Sequence, residues 1–313
     1  MTQSTTLARK KRSSSSLERK QNRYGYMFIT PWILGLFLFT VIPMAFSAVL
    51  SLCEWDIVTG LQTIRFVGFK NFEKIYVDKK FWIAMQVTFK YCLISIPFYQ
   101  ISSLLIALLL NMRIRFMRFY RVVFYLPAII PAVASAMIWT QIFNESGLLN
   151  QGLKLLGIKG PAWLRDPSTA LYALIIMGVW GIGQTIIIYL SGLQGVGEEL
   201  YEASEIDGAN AWQRFFKVTI PMISPTIFFN VVMAVIGSFQ YFTSAFIMSD
   251  GTGGPLNSTL FYNLYLYVKA YKEFKMGYAA ALAWIMFVII LIFTLLVVKS
   301  SSLWVYSQSD DEF

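Results

Sequence analysis

No histidine occurs among the 313 residues of this chain. Imidazole metal sites, histidine general bases and Ser-His-Asp triads are therefore excluded. Cysteine is nearly as scarce. Cys53 and Cys92 are the only two, so the thiol chemistry reduces to one bridge or two inert thiols. Charged residues make up only 14% of the chain, with 17 acids against 26 lysines and arginines. No phosphate loop ending in Gly-Lys-Ser/Thr is present. The stretch GTGGPLNST at 251–259 is dense in glycine but lacks that lysine, and no strand precedes it. The first apolar run is too long for the core of a secretory signal and has no small-residue cleavage site after it, so no cleavable leader is expected.

What the chain has is apolar length. Hydrophobic residues make up 57% and the mean hydropathy is +0.58, and a bilayer core of about 30 Å takes about 20 apolar residues of helix. Six such runs are present: Tyr24–Leu52, Phe81–Leu110, Val122–Phe143, Leu171–Leu193, Met222–Met248 and Met276–Val298. The fold class is therefore an all-α membrane protein of about six transmembrane helices. The net charge of +9 does not point to nucleic acid, because the basic residues gather at the ends of apolar runs, where they orient spans.

The segment 1–23 is polar and basic, with Arg9, Lys10, Lys11, Arg12, Arg19, Lys20 and Arg23, and reads as a disordered tail on the cytoplasmic side. Arg113, Arg115, Arg118 and Arg121 form a short basic loop without acids, the strongest positive-inside signal in the chain. Alternation then puts the stretches 53–80, 144–170 and 249–275 outside and both termini inside. The tail 300–313 carries Asp310–Glu312. Lys90 is expected near the outer end of its span, since a central lysine costs about 2.5–3.5 kcal/mol on insertion scales. The fourth span holds Trp180, Gly181, Gly183, Gln184 and Thr185, its glycines reading as close helix packing. The fifth holds Asn230, Ser238, Gln240, Tyr241, Thr243 and Ser244.

One cytoplasmic stretch breaks the apolar pattern. Glu198–Pro225 carries five carboxylates, Glu198, Glu199, Glu202, Glu205 and Asp207. Glu198, Glu202 and Glu205 share a helix face, Asp207-Gly208 interrupts the helix, and Asn210 is placed to cap a second one. In that second helix Trp212, Phe215, Phe216 and Ile220 are apolar. A helix–glycine–helix elbow between two spans reads as a docking surface.

Glu202-Ala203-Ser204, Gly208 and Val218-Thr219-Ile220-Pro221 together resemble the EAA motif, EAA-x3-G-x9-I-x-L-P, of the membrane subunits of binding-protein-dependent ABC importers. Ser204 replaces the third residue of that motif, and Val218 and Ile220 replace its Ile and Leu. The form EASEIDGA, the opening PWILGLFLFTVIPMAF, the stretch LPAIIPAVASAMIW and the segment around GGP at 253–255 are similar to sugar permeases of the maltose and glycerol-phosphate type, with Ser249 where those often have threonine.

The resemblance covers about Tyr24 to Tyr306 and implies a type I ABC importer (MetI-like) permease domain over 24–299, with its coupling elbow at 198–221. It implies a second similar permease, two ATP-binding subunits that bind ATP and Mg, and an extracellular sugar-binding protein as partners, in a bacterial inner membrane. No cofactor is then held by this chain, and it is no enzyme. Glu202, Ala203, Ser204, Asp207 and Gly208 are implied to couple to the ATPase. Family position points to Ser238 and Tyr241 for the substrate path, with Thr185 nearby. Gln184, Gln240 and Trp180 suit a sugar by chemistry. On a helix Ser238 and Tyr241 share a face and Gln240 points about 100° away from Tyr241, so Tyr241 is expected to contact substrate and Gln240 to pack against another helix. Glycerol phosphate as the solute, or a sensor that transports nothing, are the alternatives. The topology has a direct check. In intact cells an impermeant thiol reagent is expected to label Asp166→Cys and Asn257→Cys and to spare Arg118→Cys and Asn210→Cys; labelling at 118 from outside reverses the orientation.

Overall fold

The structure, a computed structural model, describes residues 16–112 and 115–306. The tail residues 1–15, Arg113 and the acidic tail Asp310–Glu312 lie outside the described residues. Two units are described separately, 1–50 and 51–313. In the first, α1 (Ser16–Leu36) leads into α2 (Ile42–Ser51) through a π-helical turn, Phe37–Val41. Helix therefore starts at Ser16, eight residues before Tyr24, and takes in part of the stretch expected to be a disordered tail. The π turn sits just ahead of Pro43, whose ring lacks an N–H and crowds the preceding carbonyls; widening the turn relieves both.

The second unit opens with a small cap. Strands β1 (Cys53–Glu54) and β2 (Arg65–Phe66) pair antiparallel. Helix α3 (Lys70–Val77) locks them, the Asn71 Nδ2 donating to the Ser51 and Cys53 carbonyls, both at 2.9 Å. Both cysteines are free and buried. Asp78 then caps α4 (Lys79–Asn111), accepting from the Lys80 amide at 2.9 Å. At 33 residues, α4 is about 50 Å long and exceeds the hydrocarbon core. Lys90 lies on it with Nζ 5.3 Å from the Tyr172 ring centroid. Tyr172 is near the start of α8 (Ala170–Trp180), so the lysine packs against the first turn of that helix.

The third apolar run is not one straight crossing. It forms α5 (Met117–Ile129) and α6 (Ala132–Ile142), bent by 101°. Pro131 is the cause: the residue before a proline is pushed out of the helical region, and Ile130 is extended at ψ 129°. A short helix, α7 (Leu148–Leu155), follows. The fourth run is also broken, into α8 (Ala170–Trp180) and α9 (Gly183–Gln194), bent by 49°. Gly183 packs as the glycine pattern predicts. A Cβ there would lie 2.8 Å from the Phe124 carbonyl oxygen of α5.

The elbow consists of α10 (Glu198–Ile206) and α11 (Ala211–Arg214), returning through a second π turn, Phe215–Thr219, into α12 (Ile220–Met222) and α13 (Ser224–Phe239). This π turn again precedes a proline, Pro221, so the same relief operates twice. Helix α14 (Thr243–Met248), α15 (Tyr262–Tyr267) and the long α16 (Met276–Ser301) complete the chain. Among the described residues four helices are long and apolar enough to cross a membrane, and up to six if each bent pair counts as one span. The expected six therefore hold, two of them bent by more than 40°.

The core lies between α4, α8, α13, α15 and α16, around the fully buried Tyr262, Tyr265, Phe261 and Leu282. At its cap end Asp78 Oδ2 accepts from the hydroxyls of Tyr265 and Tyr278, the latter at 2.9 Å. Partial burial raises the Asp78 pKa, but these two hydrogen bonds, the Lys80 amide and nearby Lys269 outweigh it and hold the carboxyl below its ordinary value of 3.8. A depressed folded-state pKa stabilises above the ordinary value and stops doing so as pH falls through the folded one. Asp78→Ala leaves two tyrosine hydroxyls without their acceptor and is expected to cost about 1–3 kcal/mol at neutral pH. Thermal unfolding in detergent measures it, and the gap from wild type should shrink as pH drops below 3.8.

Candidate functional site: the elbow and the two helices it joins

The elbow folds as its residues dictate. Glu198 and Glu199 occupy the first turn of α10, where carboxylates complement the helix dipole. Asp207 closes the helix, its amide donating to the Ala203 carbonyl at 3.0 Å, and Gly208 turns the chain at φ 76°. Only glycine adopts that angle without strain. Asn210 then caps α11 in a reciprocal box with Gln213, both bonds at 2.9 Å. Across the corner Arg214 pairs with Glu205, and the Tyr201 hydroxyl meets Thr219 Oγ1 at 3.0 Å. The corner is thereby braced from within.

The bracing sorts the five carboxylates. Glu205 is committed to Arg214, whereas Glu202 and Asp207 are exposed, as is Ala203. Ser204 turns its hydroxyl back to the Tyr201 carbonyl at 2.7 Å, a bond alanine cannot make. Beside the acids stand large apolar side chains in the open. Ile206 is 87% exposed, and the Trp212 and Phe216 rings stack at 6.2 Å and 14°. The expected coupling set omitted them. The i,i+4 spacing of Trp212 and Phe216 was its sequence signal, but Ile206 carried none. Acid and apolar surface side by side suit a cationic, partly apolar partner groove.

The helices entering and leaving the elbow, α9 and α13, are fastened to one residue of α4. Tyr189 on α9 donates to Gln100 Oε1 at 2.6 Å, and Gln100 Nε2 donates to the Asn230 carbonyl of α13 at 3.2 Å. One side chain of α4 is thus hydrogen-bonded to both helices that the elbow joins.

The six path candidates separate. Gln184 is exposed on the first turn of α9, just past the Gly181–Ile182 break, and Thr185 beside it is half-buried. Trp180 meets Trp139 edge-on at 5.8 Å and lines an apolar groove of about 510 Å3 with Phe98, Pro127 and Ile176. On the fifth span the helix assumed for the assignment does not run through it. The helix ends at Phe239, and Phe242 has φ −145° and ψ −60°, so no continuous 100° step relates Gln240 to Tyr241. Tyr241 is packed against Tyr91 and Phe261, at 4.6 and 4.9 Å between ring centroids. Gln240 is exposed and Ser238 half-buried. The helical wheel failed because the helix stops where it was applied.

Beyond the fifth span the GGP loop is held shut by its own polar groups. Ser249 Oγ accepts from the Gly253 amide at 3.1 Å, and Thr259 Oγ1 donates to the Gly254 carbonyl at 2.7 Å. Serine at 249 therefore does the capping locally. The loop borders a polar groove of about 370 Å3 with Asn144, Glu145 and Arg165.

A chain built this way, with broken membrane helices joined by a braced acidic elbow, is a transport protein of the multi-pass permease class. Residues 101–302 match the family of binding-protein-dependent transport system inner membrane components, and the chain belongs to that family. It is 43% identical over 297 residues to the probable ABC transporter permease protein YesP of Bacillus subtilis (strain 168), covering 94% of this chain and 95% of that one. It is 33% identical over 290 residues to the lactose transport system permease protein LacF of Rhizobium radiobacter, covering 91% and 96%. Among solved structures its fold is similar to a chain of a bacterial alginate ABC transporter in complex with an alginate pentasaccharide-bound periplasmic protein. That likeness has a TM-score of 0.79 at 22% identity over 91% of this chain and 96% of that one. The chain is thus a permease subunit, and its family is not one of catalytic enzymes.

Tyr189→Phe tests the fastening to α4. Its expected stability cost is about 0.6–1.7 kcal/mol, the range for interhelical hydrogen bonds in membranes, measured by unfolding in bicelles. Transport is expected to fall more than stability, with the elbow's partners still bound.

Proposed function

We propose that this chain is one of two permease subunits of an ATP-driven importer of a sugar, an oligosaccharide by preference, in a bacterial inner membrane with both termini cytoplasmic. A partner ATPase binds ATP and Mg and grips the elbow. An extracellular sugar-binding protein delivers the substrate to the loops on the opposite side. The observation that carries this reading is that the elbow and the two exposed amides belong to the same pair of helices. Gln184 stands on α9 and Gln240 at the end of α13, and the elbow joins those helices.

Both amides sit beside helix breaks at membrane depth. Irregular backbone there survives only where protein buries it or water lines it. An exposed glutamine at such a break fits a water-lined path. Gln240 lies 16 residues along from Ser224, about 24 Å of helix, a rise shorter than a hydrocarbon core of about 30 Å, which supports a position within it for a span that enters near Ser224. Amides, hydroxyls at Ser238 and Thr185, and the Trp180 ring match the polar edges and apolar faces of a sugar. A phosphorylated solute would favour cations, and Lys90 is engaged with Tyr172. Tyr241, packed among aromatics, positions the break rather than touching substrate. When the ATPase closes, the elbow carries α9 and α13 with it through Gln100, and the amides are presented to opposite sides in turn.

Proteoliposomes test this. Uptake of labelled oligosaccharide is expected only with ATP, the ATPase and the binding protein all present. Glu202→Lys, which reverses charge on the docking face, is expected to abolish uptake while the chain stays in the membrane. Gln240→Ala is expected to lower uptake about tenfold, equivalent to about 1.4 kcal/mol, and Tyr241→Phe to leave it nearly unchanged. Uptake that survives Gln184→Ala together with Gln240→Ala removes these amides from the path. Uptake of glycerol phosphate in place of sugar, or no uptake of any solute, removes the sugar reading.

A further inference from the structure

Between the third and fourth spans, at the end of α8 away from the elbow, α7 shows an apolar stripe to the outside. Leu148 and Leu155 are seven residues apart and share one face; both are exposed, Leu155 by 89%. Leu156 and Ile158 in the next turn are exposed as well, Leu156 by 74%. The helix cannot roll to hide them, because its other face is pinned. Asn150 Nδ2 donates to the Glu145 and Pro161 carbonyls at 3.2 Å, and Asn150 Oδ1 accepts from Trp163 Nε1 at 2.8 Å. Leu149 packs on the buried cluster around Phe143.

Two cations flank the stripe. Lys154 and Lys159 line a groove of about 640 Å3 together with Asn150, Gly157, Ile158 and Glu145. The carboxylate among them, Glu145, is 3.5 Å from Arg165. Val133, Met137 and Ile138 of the neighbouring α6 are exposed as well.

We propose that α7 and its following turn form an interfacial anchor that holds an anionic phospholipid of the leaflet opposite the elbow. Leu148, Leu155, Leu156 and Ile158 enter the acyl boundary, and Lys154 and Lys159 meet the phosphodiester in the groove. An apolar stripe with lysines at its polar edge is the pattern of a helix lying in the interface, and long lysine stems reach the phosphate level while lying along apolar surface. A stripe of two leucines and one turn is narrow for a stable protein interface but sufficient for a lipid. This inference needs only that the chain spans a bilayer and does not depend on what it transports.

The assembled permease complex is the material for the test, reconstituted in vesicles of phosphatidylcholine with phosphatidylglycerol. Cys53 and Cys92 are buried, so a thiol introduced by Leu155→Cys takes a spin label selectively. At 155, collisions with oxygen are expected to exceed those with a water-soluble nickel chelate. The order should reverse at Thr252→Cys, an exposed position on the same side. A fluorophore at 155 is expected to be quenched about twofold more by brominated phosphatidylglycerol than by brominated phosphatidylcholine, as anionic headgroup attraction predicts. Lys154→Gln with Lys159→Gln should remove that difference. The proposal fails if position 155 meets the chelate as freely as 252. It fails if 155 is shielded from both reagents, which means a protein covers it. It also fails if wild type shows no lipid preference, or if the double variant keeps one.

Discussion

A hydrocarbon layer offers no hydrogen bonds to a peptide group, so every amide and carbonyl of this chain at membrane depth must find its partner inside the protein. Helix is the default solution, and long helices such as α4 and α16 follow it. Each departure is costly unless something nearby repays it. The departures are at Ile130–Pro131, Gly181–Ile182 and Gln240–Phe242, and their positions organise the rest. The first is forced by a proline, the second permitted by glycine packing on α5, and the third wedged by Tyr241 between Tyr91 and Phe261.

The elbow solves a different problem. It turns the chain sharply between two apolar helices and carries acidic and apolar side chains in the open. Its internal polar bonds, Glu205 to Arg214, Tyr201 to Thr219 and the Asn210–Gln213 box, fix the corner. That leaves Glu202, Asp207, Ile206, Trp212 and Phe216 in the open. The π turn before Pro221 lets the return helix continue into the membrane without losing its line. The corner is braced from within, and both helices it joins are hydrogen-bonded to Gln100.

Polar residues in the spans then divide by role. Gln100, Tyr189 and Asn230 join helices, and the packed hydroxyls of Tyr91, Tyr99 and Tyr241 sit in the aromatic core. Gln184 and Gln240 are exposed beside breaks. The first group holds helices together, and the second stands at the surface of the chain. Composition alone gives both groups the same look, because an amide in an apolar run reads alike whether it faces a helix or a cavity.

The sequence by itself determined the membrane class, the six apolar runs, the corner at Gly208 and the cap at Asn210. Those depend on run length, charge placement and local backbone chemistry, which act over a few residues. It also carried the elbow motif at its full spacing. Only the tertiary structure decided that Pro131 and Gly181 break their spans, that Glu205 is spent on Arg214, and that Tyr241 is packed while Gln240 is exposed. The packing of Tyr241 depends on a partner far away in the chain, Tyr91 being 150 residues from it, and the pairing of Glu205 on a corner that brings Arg214, 9 residues further on, back across to it. Which side of a helix is inside is set by what packs against it, and no local pattern in a uniformly apolar span records that.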